Sequence, residues 1–303
     1  MRIGISGTRL TRHASVDRVA EHAAQAADDG FTSYWMAEHP TSGFDALTVL
    51  TLVGTRVPEI EIGTAIIPIF PRHPMVLAGQ ALTARSVLGD RFTLGIGLSH
   101  ASMMAELGIG FERPIGRLRE YLSVLMPLLE VGHVDFEGAI QRTEATVFGA
   151  PETPVPVVVA ALGPQALKVT GSRTQGTILS WVGPRTIREH IAPRLTEAAT
   201  TAGRAAPRII ASLPVTVTDD PAAIRADIDS TSAMYGELPS YRAMFDREGA
   251  AGPGDVAIAG SEAEVVQMIE GMADAGVTDF VASEYTPIPE TAERTRALLK
   301  TLL

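Results

Sequence analysis

Two hydrophobic rhythms alternate along this chain. Short continuous apolar runs, rich in Val, Ile and Ala, are followed by stretches in which apolar residues return every three or four positions. The first rhythm marks strands buried on both faces, and the second marks amphipathic helices. The pattern predicts strands over 1–6, 32–37, 61–67, 91–98, 155–160, 176–181, 207–218 and 278–283. Helices are expected over 15–30, 44–57, 74–88, 117–130, 164–171, 184–202, 221–234, 261–276 and 290–302. Gly30 supplies a helix stop and Pro184 a first-turn proline.

Strands that alternate with helices imply a parallel sheet with helical crossovers. Eight such units favour closure, so the expected fold class is α/β, a (β/α)8 TIM barrel. A single barrel domain is expected to span residues 1–303, a length that fits the roughly 250 residues of a barrel plus insertions. Two stretches interrupt the rhythm. Residues 131–154, with Val134-Asp135-Phe136-Glu137-Gly138 and Thr146-Val147-Phe148-Gly149-Ala150, read as a hairpin inserted after the fourth helix. Residues 235–260, after the seventh strand, are rich in Gly and Pro and read as a lid or an accessory helix pair.

Composition narrows the function. Net charge is −10, which repels a long polyanion, so no nucleic-acid partner is expected. No apolar run is long enough to span a bilayer. The chain holds no cysteine, which removes disulfide and thiolate chemistry. The first residues run straight into a strand and carry no export signal, so a cytoplasmic setting is expected. Histidines without ligand spacing predict no metal site.

Working residues of such barrels sit at strand C-termini. That rule selects Glu38-His39 after the second strand, Ala65-Ile66 at the end of the third and Leu98-Ser99-His100 after the fourth. Ala161-Leu162-Gly163-Pro164-Gln165 follows the fifth, and Trp181 closes the sixth. His39 is either a proton shuttle near neutral pH or a loop cap. His100 is either a substrate-side proton donor or a helix-start residue. Glu38 could orient His39, meet a cofactor ring or pair with an arginine. Arg72 and His73 could meet an anionic cofactor tail or lie solvated. Gly163 opens a helix whose first N–H groups suit a phosphate. Trp181 is a stacking surface or core filling. Gly95-Ile96-Gly97 invites a dinucleotide reading, but His100 occupies the third glycine position and no acidic strand end follows.

Five segments taken in order carry a resemblance: Tyr34-Trp35-Met36-Ala37-Glu38-His39, Ile62-Gly63-Thr64-Ala65-Ile66, Arg91-Phe92-Thr93-Leu94-Gly95-Ile96-Gly97-Leu98-Ser99-His100, Ala160-Ala161-Leu162-Gly163-Pro164 and Asp274-Ala275-Gly276-Val277-Thr278-Asp279-Phe280. Together they resemble the luciferase-like monooxygenase superfamily, in its F420-dependent oxidoreductase branch, over nearly the whole chain.

The resemblance implies hydride transfer between coenzyme F420 and a small organic substrate, by C=C or C=N reduction or alcohol oxidation. It implies catalytic roles for His39, His100 and Glu38. It places the cofactor on His39, Ala65, Ile66, Leu98, Ser99, Ala161, Leu162, Gly163, Pro164 and Gln165. Ala65–Ile66 matches a non-prolyl cis peptide beneath the ring, and strands two to five should form the active quadrant. A homodimer and a separate cofactor-reducing enzyme are implied as partners. His100 stands where sugar-phosphate dehydrogenase members carry glutamate, which counts against a sugar-phosphate substrate. Gln175-Gly176 replaces an Asp-Gly pair and reads as structural. The alternatives are an FMN-dependent two-component monooxygenase and a non-catalytic flavin-binding barrel.

Overall fold

The computed structural model describes residues 1–10, 15–41, 43–147 and 152–303. Its elements run in chain order as β1 (Arg2–Ser6), α1 (Val16–Asp28), β2 (Ser33–Met36), α2 (Ala46–Arg56), β3 (Glu61–Thr64), β4 (Ile67–Pro68) and α3 (Pro74–Leu88). There follow β5 (Phe92–Gly97), α4 (Ala101–Glu106), α5 (Pro114–Glu130), β6 (His133–Glu137), β7 (Arg142–Thr146), β8 (Val157–Val159), α6 (Pro164–Arg173) and β9 (Gly176–Ser180). The chain continues through α7 (Pro184–Thr186), a π-helical turn at Ile187–Ile191, α8 (Ala192–Thr201), β10 (Arg208–Val217), α9 (Pro221–Thr231), α10 (Ala233–Glu237) and α11 (Pro239–Glu248). It ends with β11 (Ile258–Gly260), α12 (Glu262–Asp274), β12 (Asp279–Glu284) and α13 (Pro289–Lys300).

The sheet closes on itself. Parallel pairing runs β1–β2–β3–β5–β8–β9–β10–β12 and returns to β1 through Ile5 against Ala282. This is the expected eight-stranded barrel ringed by helices. The helices dock through small apolar faces. In α1, Val19, Ala20, Ala23 and Ala26 are buried, and Ser15 caps the first turn by accepting from the Arg18 N–H at 3.3 Å. A capping box between Ser261 and Glu264 starts α12.

Inside the barrel, Trp35 is fully buried with Val158, Ile178, Ile210 and Val281. Its indole fits because Gly63 faces it. A Cβ at Gly63 would lie 2.2 Å from two indole carbons. Below this layer the N-terminal strand ends are closed by charge. Arg208 binds Glu61 and Asp279, and Arg2 binds the same two carboxylates.

Several boundaries differ from the periodicity. The third strand is not continuous: the chain breaks between β3 and β4 at a cis Ala65–Ile66 peptide. A short extra helix, α4, follows β5, and α5 starts at Pro114 rather than 117. The hairpin is present as β6 and β7, held to α5 by Glu120, which accepts from the N–H groups of Ala139, Ile140 and Gln141. Residues 148–151 of that insertion lie outside the described residues. The stretch 235–260 contains a helix pair, as expected, but also β11, which extends the sheet beside Val215–Val217 of β10. Three residues are too short for periodicity to register. Gln175 is structural: its side-chain oxygen accepts from the Val157 N–H at 2.8 Å.

Candidate active site

A cavity of about 810 Å3 opens at the C-terminal ends of the strands. Barrel geometry puts it there, because each strand end and its following loop face a common mouth. Of the residues singled out in the sequence, Glu38, His39, Ala65, Ile66, Leu98, Ser99, His100, Leu162 and Gly163 all line it. Trp181 lines it too.

The loop carrying His39 is tied down on both sides. The Ala37 N–H donates to Thr8 Oγ1 at 3.1 Å, and the Glu38 N–H donates to the Ile66 carbonyl at 3.1 Å. The Ala65 N–H in turn donates to the Met36 carbonyl at 2.8 Å. His39 is thus held next to the Ala65–Ile66 step. Gly97 permits that step to pack closely, since a Cβ there would stand 3.0 Å from Ile66.

The Glu38 carboxylate does not reach into the cavity as a free acid. It is buried and gripped by both terminal nitrogens of Arg72, and Oε2 also accepts from the Ala46 N–H at 3.3 Å. Arg72 also binds Asp45. Glu38 thus takes the arginine pairing that its sequence position allows, and Arg72 is not a free cation for a cofactor tail. His73 caps α3 through its Nδ1.

His100 begins α4, and Ser99 before it takes a left-handed backbone with φ 62°. Burial depresses the His100 pKa, and the neighbouring His39 lowers it further. The imidazole is therefore biased toward its neutral form. The two histidines act on each other electrostatically across the same cavity.

Gly163 is the N-cap of α6 in an extended conformation, with no side-chain cap on the helix. A Cβ there would meet nothing within 4 Å. Apart from Pro164, which has no N–H, the first-turn N–H groups of α6 carry no side-chain cap, and with the helix dipole they are a donor set of the kind that suits a phosphate. Leu162 just before it is held by His190, whose Nε2–H donates to the Leu162 carbonyl at 2.8 Å. Three expected contacts do not line the cavity: Ala161 is buried among the surrounding apolar core, and Pro164 and Gln165 lie on the first turn of α6.

The lining is also wider than strands two to five. Ser6, Ser180, Ser212 and Ser283 come from β1, β9, β10 and β12, so the whole ring of strands contributes. Arg9 lies over the Tyr285 ring at 4.2 Å. Tyr235 and Tyr241 enter from α10 and α11. Ser6, Ser180 and Ser283 lie at or near strand C-termini, where the strand-end rule looks, whereas Ser212 lies inside β10, where the rule does not reach. The tyrosines carried no periodic signal, because they lie in the irregular insertion.

The sequence profile described as luciferase-like monooxygenase matches residues 2–300. The chain belongs to the luciferase-like monooxygenase family. Within this luciferase-like group it is similar to an F420-dependent glucose-6-phosphate dehydrogenase of Kineococcus radiotolerans, at 30% identity over 68% of this chain. The match spans 65% of that relative's own length. Among solved structures, the coenzyme F420-dependent tetrahydromethanopterin reductase of Methanopyrus kandleri superimposes with a TM-score of 0.81 at 23% identity, covering 99% of this chain and 97% of that one. An F420-dependent secondary alcohol dehydrogenase, solved with an F420-acetone adduct, gives 0.82 at 19% identity, covering 100% and 98%. These two likenesses establish the shared fold.

Proposed function

We propose that this luciferase-like protein is an oxidoreductase that uses coenzyme F420 to move a hydride to or from a small organic substrate. The observation that carries the reading is one cavity in which His39, the Ala65–Ile66 step, His100 and the uncapped Gly163 turn meet. The names of the similar proteins support the cofactor.

The residues present fit the group. The apolar Ala65–Ile66 step offers a surface for a flat ring, and the open N-terminus of α6 offers donors for a phosphate. Bound there, the deazaflavin would supply a two-electron hydride chemistry and little oxygen activation. His39 would hold or move a proton at the ring edge, its loop fixed by Thr8 and Ile66. His100, biased neutral by burial, would exchange a proton with the substrate. Arg72 would position His39 indirectly, by fixing Glu38. Tyr235 and Tyr241, which α10 and α11 add to the rim, would limit water.

The reading includes a separate cofactor-reducing enzyme, a homodimer and a cytoplasmic setting. Among the described residues no helix is long and apolar enough to cross a membrane. The test is a pair of titrations with F420 and FMN, followed by single-turnover hydride transfer with His39→Ala. Tighter F420 binding and a rate lowered by about 100-fold are expected for a lost proton-transfer group. Tighter FMN binding would favour a flavin monooxygenase, and an unchanged rate would remove His39 from the reaction.

A further inference from the structure

Four rings from three distant parts of the chain form one wall of the cavity. His100 follows β5, Trp181 follows β9, and Tyr235 and Tyr241 come from α10 and α11. Trp181 and Tyr235 have centroids 5.2 Å apart, and Tyr235 and Tyr241 meet edge to face at 5.1 Å. His100 lies 5.8 Å from Tyr241 and 6.1 Å from Tyr235. Trp181 adopts φ 60°, a left-handed conformation rare for a bulky residue.

The wall is poor in charge. Among the described residues, and apart from the two histidines, the charged residues lining the cavity are Arg9 and Glu38. Glu38 is neutralised by Arg72, and Arg9 already lies over the Tyr285 ring. A phosphate monoester carries about two negative charges near neutral pH and needs several donors to replace its water. The donors at Gly163 are assigned to the cofactor in the reading above. A cationic ligand is no better served, since among the described residues lining the cavity Glu38 is the one carboxylate and it is paired with Arg72, while Arg9 adds positive charge. What the wall does offer is π faces and edges, which match a flat conjugated molecule, with hydroxyls of Ser180 and Ser212 nearby on the lining.

We propose that this wall is the substrate subsite and that it selects a planar, uncharged cyclic enone or quinone over a sugar phosphate. The proposal rests on the hydride-transfer reading above. Reduction of such a substrate places a hydride on the β-carbon and a proton on the α-carbon. The C=C π bond is lost and two C–H bonds form; a quinone reduced in this way then enolises to its hydroquinone with no further change in atoms or electrons. The hydride would come from the reduced deazaflavin, which would end oxidised, and the proton would come from water, with the neutral His100 as a hydrogen-bonding partner.

The probes are 1,4-naphthoquinone and glucose 6-phosphate, titrated calorimetrically into the whole protein; the chain has no cysteine for the quinone to alkylate. Naphthoquinone is expected to bind, and glucose 6-phosphate to give no heat at the same concentrations. Tyr235→Leu and Trp181→Leu should each weaken quinone binding tenfold or more, while Tyr235→Phe, which keeps the ring, stays within threefold. Each variant is checked by thermal melting, and Tyr235→Phe guards against a folding defect. Glucose 6-phosphate binding as tight as the quinone overturns the proposal. So does quinone affinity that is unchanged in both leucine variants. F420 is titrated alongside: wild-type protein that binds quinone but no F420 overturns the cofactor reading and not the aromatic subsite.

Discussion

His190 and Leu162 are joined by a 2.8 Å hydrogen bond that ties the α7–α8 helix to the Gly163 turn. The carbonyl can only accept, so His190 carries its proton on Nε2. Nδ1 is buried without a partner among the described residues. Burial depresses the His190 pKa; the Leu162 bond works against that, and Arg247 and Arg194 add to it. A histidine held neutral in the fold opposes folding once it must charge. The stability it permits is full above the unfolded pKa of about 6.5 and declines as pH falls below that value. His100 is depressed as well and adds in the same direction. Melting temperature should therefore drop between about pH 7 and pH 5. His190→Gln, which keeps an N–H donor and cannot titrate, should show a shallower drop. Equal slopes for the two proteins would remove His190 from the acid response.

Gly163 should separate folding from binding. Its φ is −80°, a region open to any residue, and an added Cβ meets nothing within 4 Å. Gly163→Ala should thus leave the melting temperature unchanged, within about 0.5 kcal/mol of stability. The added methyl group would project into the space where the phosphate is proposed to sit. F420 affinity should fall roughly tenfold, equivalent to about 1.4 kcal/mol. The check is a titration beside a melt; unchanged affinity would move the phosphate away from this turn.

Arg72 and Glu38 form a partly buried pair, with side chains 15% and 6% exposed. Removing one partner strands the other charge, so Arg72→Met should cost about 3 kcal/mol in chemical denaturation. The double variant with Glu38→Gln should be more stable than Arg72→Met alone, because no lone carboxylate remains buried. Glu38→Gln by itself should keep kcat within a few-fold, since its carboxylate serves Arg72 and the Ala46 N–H. A folded Glu38→Gln protein with no turnover would assign Glu38 a direct catalytic role.

All eight barrel strands were legible in the sequence because buried parallel strands write themselves as apolar runs. The strand-end rule then drew nine of the expected site residues to one cavity. What it could not see has physical causes. The strand-end rule picks out Ala161 with the rest of its loop, but Ala161 is buried in the apolar core and does not line the cavity, and the rule cannot tell which residues of a loop turn inward. Glu38 was one of two acids in reach of Arg72, and choosing between a pair and a free acid needs the tertiary path of the loop after β4. Tyr235 and Tyr241 sit in a segment without period, so only the fold could carry them to His100 and Trp181.

The opposite end of the barrel should answer to stability alone. Arg208 lies between Glu61 and Asp279 at the N-terminal strand ends, and Thr278 Oγ1 donates to Asp279 at 2.6 Å. Burial would push the Asp279 carboxyl up, but the Arg208 guanidinium outweighs it and holds the carboxyl below the usual range. A depressed acid stabilises the fold above its unfolded pKa of about 3.9 and loses that contribution as pH falls through the folded value. Asp279→Asn removes the charge from a side chain only 3% exposed and leaves Arg208 with Glu61. It should cost about 3 kcal/mol near neutral pH in a urea melt. The penalty should shrink below about pH 4, where the unfolded chain's Asp279 begins to protonate, and should be gone once pH has fallen through the depressed folded value. Because the strand bodies separate this network from the cavity, KM and kcat of the folded variant should match wild type. A variant with normal stability and lost turnover would place function at the wrong end of the barrel.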